Sequence, residues 1–162
     1  IVIIGIITTM ALVSTRVLGG DHEMDKEARR LVAVLTQARE EAMLQGRDLG
    51  LRLDAVGYDF LLYDGRIERW ELAVEDPLLR ERAFPDGLEA ELWLESRNVR
   101  LPARTAPTVD MPAQPQVVVM ASGDLIPFEM RLRRAGTEEV RAVVGNAVGQ
   151  LEILSNDEVT ER

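Results

Sequence analysis

The sequence predicts an α+β fold in which a long N-terminal α-helix, membrane-like in its first half and amphipathic in its second, packs on antiparallel β-sheets. Three observations predict it. Ile1 to Thr15 contains no charged residue. From Asp25 the apolar positions Ala28, Leu31, Val32, Leu35, Ala38 and Ala42 recur at three- and four-residue intervals, which is one face of a helix. After Gly50 the period falls to two, and alternating runs are separated by Asp, Gly, Asn and Pro. A chain of 162 residues allows about one domain with a substantial core.

The elements follow in order. As a helix, fifteen uncharged residues rise roughly 22 Å, short of the ~30 Å hydrocarbon core. Because the chain begins at Ile, residues 1–20 are expected to be a truncated transmembrane helix; a buried core helix or a secretory signal is the alternative. The flank after Arg16 is acidic, with Asp21, Glu23 and Asp25 against Lys26, and leaves orientation open. Residues 21–46 continue the rod if Gly19-Gly20 is tolerated, ending near Gln45 because glycine is favoured just past a last turn. In the β-rich part, 49–154, Leu49, Leu51 and Leu53 share one face, as do Tyr58, Phe60 and Leu62. Tyr63-Asp64-Gly65-Arg66 reads as a tight hairpin whose return limb, Ile67 to Leu72, carries Trp70. A turn around Asp76 to Glu81 leads to Phe84-Pro85-Asp86-Gly87, then to Leu88, Ala90, Leu92 and Leu94 alternating with Glu89, Glu91, Trp93 and Glu95. Pro102, Pro107, Pro112 and Pro115 make the longest loop, since proline removes a donor and fixes φ. Val117 to Met120 and Phe128 to Leu132 are expected to form a hairpin about Ser122-Gly123-Asp124. Val140 to Val144 and Val148 to Leu154 form a second about Gly145-Asn146, and the tail from Ser155 is expected to be loose.

The chemistry of the chain points away from catalysis. There is no cysteine and one histidine, His22, so disulfides, thiolates and multi-histidine metal sites are unavailable. The carboxylate pairs Glu40-Glu41, Glu75-Asp76 and Glu138-Glu139 are adjacent residues, which on a helix point about 100° apart and read as solvated faces. Asp21, Glu23 and Asp25 alternate as in a calcium loop, but Lys26 and Val32 stand where its glycine and glutamate belong. Gly145 to Gly149 lacks the lysine and following helix of a phosphate cradle. Arg131, Arg133, Arg134 and Arg141 are offset by Asp124, Glu129, Glu138 and Glu139, and the net charge is −9, which opposes a nucleic-acid partner. Trp70 and Trp93 read as packing residues. No catalytic, cofactor or metal residue is assigned.

Two stretches carry a resemblance: Ala38-Arg39-Glu40-Glu41-Ala42-Met43-Leu44-Gln45-Gly46-Arg47-Asp48-Leu49-Gly50-Leu51, and Ser122-Gly123-Asp124-Leu125-Ile126-Pro127-Phe128. With the apolar helix, Tyr58-Asp59-Phe60, Phe84-Pro85-Asp86-Gly87 and the Gly149 hairpin, the chain resembles the minor pseudopilin H family of the type II secretion system, a branch of the type IV pilin-like proteins. That family's basic leader, N-methylated Phe and glutamate at the fifth mature position have no counterpart here, where Ile1 to Ile6 looks like the middle of the helix. The resemblance implies a non-enzymatic subunit, single-pass in the bacterial inner membrane with a periplasmic head (21–162). It assembles near the tip of a pseudopilus with the minor pseudopilins I, J and K and the major pseudopilin G to drive export of folded proteins. In such a subunit Ile1, Val2, Ile3, Ile4, Gly5, Ile6, Ile7, Met10, Ala11 and Leu12 would exchange lipid for like helices, and Ala28, Leu31, Val32, Leu35, Ala38 and Ala42 would hold the helix to the sheets. Exposed strand edges and the proline loop are the expected contact regions. A FimT-like minor pilin that binds DNA is the alternative, disfavoured by charge.

Overall fold

The computed structural model describes residues 2–54, 56–103, 105–108 and 112–160, with side chains from His22 onward. Helix α1 (Val2–Gln45) runs unbroken for 44 residues, roughly 66 Å at 1.5 Å per residue. Gly19 and Gly20 do not interrupt it. It closes at Gly46, whose φ is +62°, with the Arg47 amide donating to the Ala42 carbonyl at 3.1 Å, a Schellman-type end that a left-handed glycine makes cheap.

Two five-stranded antiparallel sheets follow. The first contains β1 (Leu49–Leu53), β2 (Gly57–Asp64), β3 (Arg69–Leu72), β4 (Arg82–Ala83) and β7 (Val117–Val119), in the order β3-β2-β1-β7 with β4 beside β2. The second contains β5 (Leu88–Leu94), β6 (Arg97–Val99), β8 (Phe128–Arg134), β9 (Val140–Gly145) and β10 (Leu151–Leu154), in the order β10-β9-β8-β5-β6. The inward rows, Leu49, Leu51, Leu53, Tyr58 and Phe60 from one sheet and Leu88, Leu92, Phe128, Met130, Leu132 and Val143 from the other, join the buried side of α1 in one continuous core. Alternation along each strand gives this result, because successive side chains point to opposite faces. The helix lies mainly over β8, β9 and β10 and also reaches β1 and β7.

The outward face of the first sheet is covered too. Gly50 has no room for a Cβ, which would overlap Pro115 and sit 3.1 Å from Trp70. Gln116 acts as a side-chain strand partner, its Oε1 accepting from the Leu53 amide at 2.8 Å and its Nε2 donating to the Leu53 carbonyl at 3.0 Å. Pro115 and Gln116 are therefore laid against the sheet. Arg52 of β1 and Asp59 of β2, directly opposite in register, form an ion pair.

Four expectations are corrected. Val117–Val119 and Phe128–Arg134 are not one hairpin. A local turn closes through the Met120 amide to the Asp124 carbonyl, but β7 pairs with β1, and Pro127, which has no N–H, ends that ladder before β8 enters the other sheet. Ile67 belongs to a four-residue turn, 65–68, rather than to β3, whose first pair is Asp64 with Arg69. In the last hairpin the return strand starts at Leu151, after a turn with Gly149 at φ +82°. The tail is not loose: α2 (Asn156–Thr160) places Val159 on Ala142 and Leu154. Its start is a capping box, with Glu158 accepting from the Ser155 amide at 2.7 Å and hydroxyl at 2.8 Å.

Candidate subunit interface

The head is fixed to the rod along one side of α1. Ala28, Leu31, Leu35, Ala38 and Ala42 are fully buried, and Val32 is half-buried at their rim. Near the N-terminal end of the described side chains polar links flank this seam. Glu23 pairs with Arg134 of β8, and Asp25 accepts from Arg141 Nε of β9 at 2.6 Å. Glu27, itself buried, accepts from the Tyr58 hydroxyl at 3.3 Å and from Arg30 at 3.1 Å. Burial, then the nearby Glu27 carboxylate, push the Tyr58 phenol far above its ordinary pKa, because both disfavour a phenolate there. Ile1 to Leu12, the residues expected to face lipid or like helices, lie outside the side chains described.

At the far end of the helix the two sequence stretches that carry the resemblance meet. Arg39 Nε donates to the Gly123 carbonyl at 2.6 Å, and its Nη2 reaches the Val148 carbonyl at 3.5 Å. Gly123 and Gly149 have φ of +89° and +82°, and a Cβ on Gly149 would overlap the Arg39 guanidinium. Asp48 Oδ1 accepts from the Ala121 amide at 2.8 Å while its carbonyl accepts from Tyr63 N at 3.0 Å. One arginine and one aspartate thus tie the end of α1 to the 120–124 turn, the 146–150 turn and β2. Sequence reasoning missed these roles; the available signal was that Arg39, Asp48, Gly123 and Gly149 all fall in the stretches singled out for likeness.

The remaining surface is paired rather than reactive. Arg131 stacks 4.1 Å over the Trp93 ring and pairs with Glu129. Arg133 contacts Glu89 and Glu91 at 3.3 and 3.2 Å, and Arg141 also reaches Glu139. Each of the four arginines that could have formed an anion patch faces a carboxylate, so a phosphate would have to displace a neighbour already in place. Among the described residues no group of three His, Cys, Asp or Glu converges as for a metal. Among them, too, no helix is long and apolar enough to cross a membrane. One group of exposed apolar side chains stands at the far end, where Leu44 is 84% exposed, with Met43, Met120 and Val148 near Arg39 and Gly123; others, such as Val56, Ile67 and Val74, are scattered over the head.

A family model described as type II transport protein GspH matches residues 27–149. The chain belongs to the GspH family. It is 29% identical over 164 residues to the type II secretion system protein H of Aeromonas hydrophila, covering 98% of this chain and 90% of that one. To the protein of the same name from Pseudomonas aeruginosa it is 31% identical over 139 residues, 85% of this chain and 78% of the other. In fold it is similar to the minor pseudopilin EpsH of the Vibrio cholerae type 2 secretion system, with a TM-score of 0.66 at 23% identity over 82% of this chain and 97% of that one. As a GspH-family chain it is a structural minor pseudopilin of type II secretion with a periplasmic globular part, and not an enzyme.

Proposed function

We propose that the chain is anchored in the inner membrane by its N-terminal helix and is drawn from there into the periplasmic pseudopilus. It takes a place at or just below the tip, beside the minor pseudopilins I, J and K, and links them to the major pseudopilin G. The observation that carries this is the uninterrupted 44-residue α1, which joins an apolar, Ile-rich start to a half packed into the core of the head. A helix moving from lipid into a bundle of like helices leaves one dry environment for another, so close packing rather than a hydrophobic gain decides the exchange. Gly5, Thr8, Thr9 and Ala11 keep that approach open. A head that must follow its rod needs a joint without a hinge, and the seam is pinned at both ends, by Arg134 and Arg141 below and Arg39 above.

The test is affinity capture of the tagged full chain from detergent extracts of its own bacterium. Minor pseudopilins I, J or K, or the major subunit, are expected to accompany it. A chain that supports secretion yet brings down none of them would contradict the placement.

A further inference from the structure

With no cysteine in the chain, methionine sulfur is the softest group that an oxidant meets. Four methionines have described side chains, and they divide into two pairs. Met24 and Met130 are buried in the core, whereas Met43 and Met120 are 51% and 40% exposed. The globular part, being periplasmic, lies outside the thiol pools that keep the cytosol reduced.

Met43 is set apart by what its sulfur touches. It stands near the end of α1, and its Sδ lies 2.8 Å from the point that a Cβ on Gly123 would occupy; Arg39 Nε lies 3.3 Å from the same point. The sulfur therefore fills space that Gly123 leaves, beside the guanidinium that donates to the Gly123 carbonyl at 2.6 Å. Arg39 is four residues earlier on the helix, a spacing at which side chains meet. Among the described residues no carboxylate pairs with Arg39, so neutral carbonyls hold it in place. A thioether is too weak an acceptor to compete with them. A sulfoxide carries a polar oxygen that can.

We propose that Met43 is an oxidation site of the head, with a peroxide as its substrate, and that the sulfoxide oxygen draws Arg39 into a bond within α1, releasing the 120–124 turn. In the step the sulfur lone pair attacks one peroxide oxygen and the O–O bond breaks. The departing hydroxide takes the proton from the oxygen now on sulfur and leaves as water. The sulfur is oxidised by two electrons and the peroxide reduced by two. A grip that spans 84 residues in sequence is thereby exchanged for one between neighbouring turns of the same helix. Met120, also exposed, serves as the reference for oxidation without capture.

The test treats the detergent-solubilised full chain with hydrogen peroxide, locates added oxygen by peptide mass spectrometry and follows opening by amide exchange. Met43 and Met120 are expected to gain oxygen well before Met24 and Met130. Exchange across 121–125 should then quicken about tenfold, in keeping with the loss of one hydrogen bond from a charged donor, while β8 stays protected. Met120→Leu is expected to keep this response and Met43→Leu to abolish it. Met43→Gln, which carries a carbonyl oxygen near where the sulfoxide oxygen would stand, should show the fast exchange without peroxide. Methionine sulfoxide reductases acting on both epimers should restore the slow exchange. The proposal is overturned if Met43 oxidises no faster than the buried pair, if its oxidation leaves exchange across 121–125 unchanged, or if Met43→Leu responds as the parent does. Slow exchange in Met43→Gln would overturn it as well, because that variant offers Arg39 the acceptor directly.

Discussion

Arg39 is where a single side chain does the work of a joint. Its guanidinium satisfies the carbonyls of Gly123 and Val148, and both turns it grips use glycines at positive φ. Gly149→Ala drives a Cβ toward that guanidinium on a backbone that L-residues avoid, and is expected to cost about 1–3 kcal/mol of unfolding free energy in urea titration. No measurable change would mean the cradle is slack. Gly50→Ala meets Pro115 and Trp70 instead and is expected to cost a similar amount by the same measurement. Tyr58 makes stability depend on alkaline pH. Its folded pKa is raised above the ordinary 10.0, so the unfolded chain loses the phenolic proton first and stability falls as pH climbs past that value. Thermal melts from pH 8 to 11 should show a decline that Tyr58→Phe flattens; an unchanged slope in that variant would assign the decline elsewhere.

At the scale of elements, legibility followed local chemistry. The end of α1 could be placed at Gln45 because Gly46 is a C-terminal cap independent of anything distant. Gly46→Ala meets no atom within 4 Å and should therefore cost only the left-handed conformation, about 1 kcal/mol. The turn between β5 and β6 was not legible: it is built from Glu95 and Ser96 at φ of +50° and +64°, where sequence rules look for Asn-Gly. The crossover at Pro127 was hidden for another reason. Whether β7 pairs with β8 or with β1 depends on a strand some seventy residues upstream, which alternation alone does not encode. Helix α2 could have been found, since Ser155 and Glu158 spell a capping box. Ser155→Ala is expected to cost about 1 kcal/mol and to speed amide exchange across 156–160 while sparing β9. Equal acceleration in both would show that α2 and β9 open as one unit.

For the whole molecule, the amphipathic face of α1 and the alternating strands were enough to predict an α+β head on a rod, because burial on one side is what both patterns record. What they do not record is how the head is clamped. The pairs Glu23–Arg134, Asp25–Arg141 and Arg39–Gly123 span from 84 to 116 residues in sequence, and only the folded chain brings them together. Those clamps make rod and head one body with an uncovered helical side, a shape suited to standing among similar bodies. Secretion of a folded exoprotein by a strain lacking this gene tests that idea most directly. The full chain is expected to restore export and residues 22–162 alone are not, because a rod that has lost its apolar first half has nothing to insert between its neighbours. Restoration by the head alone would contradict the account.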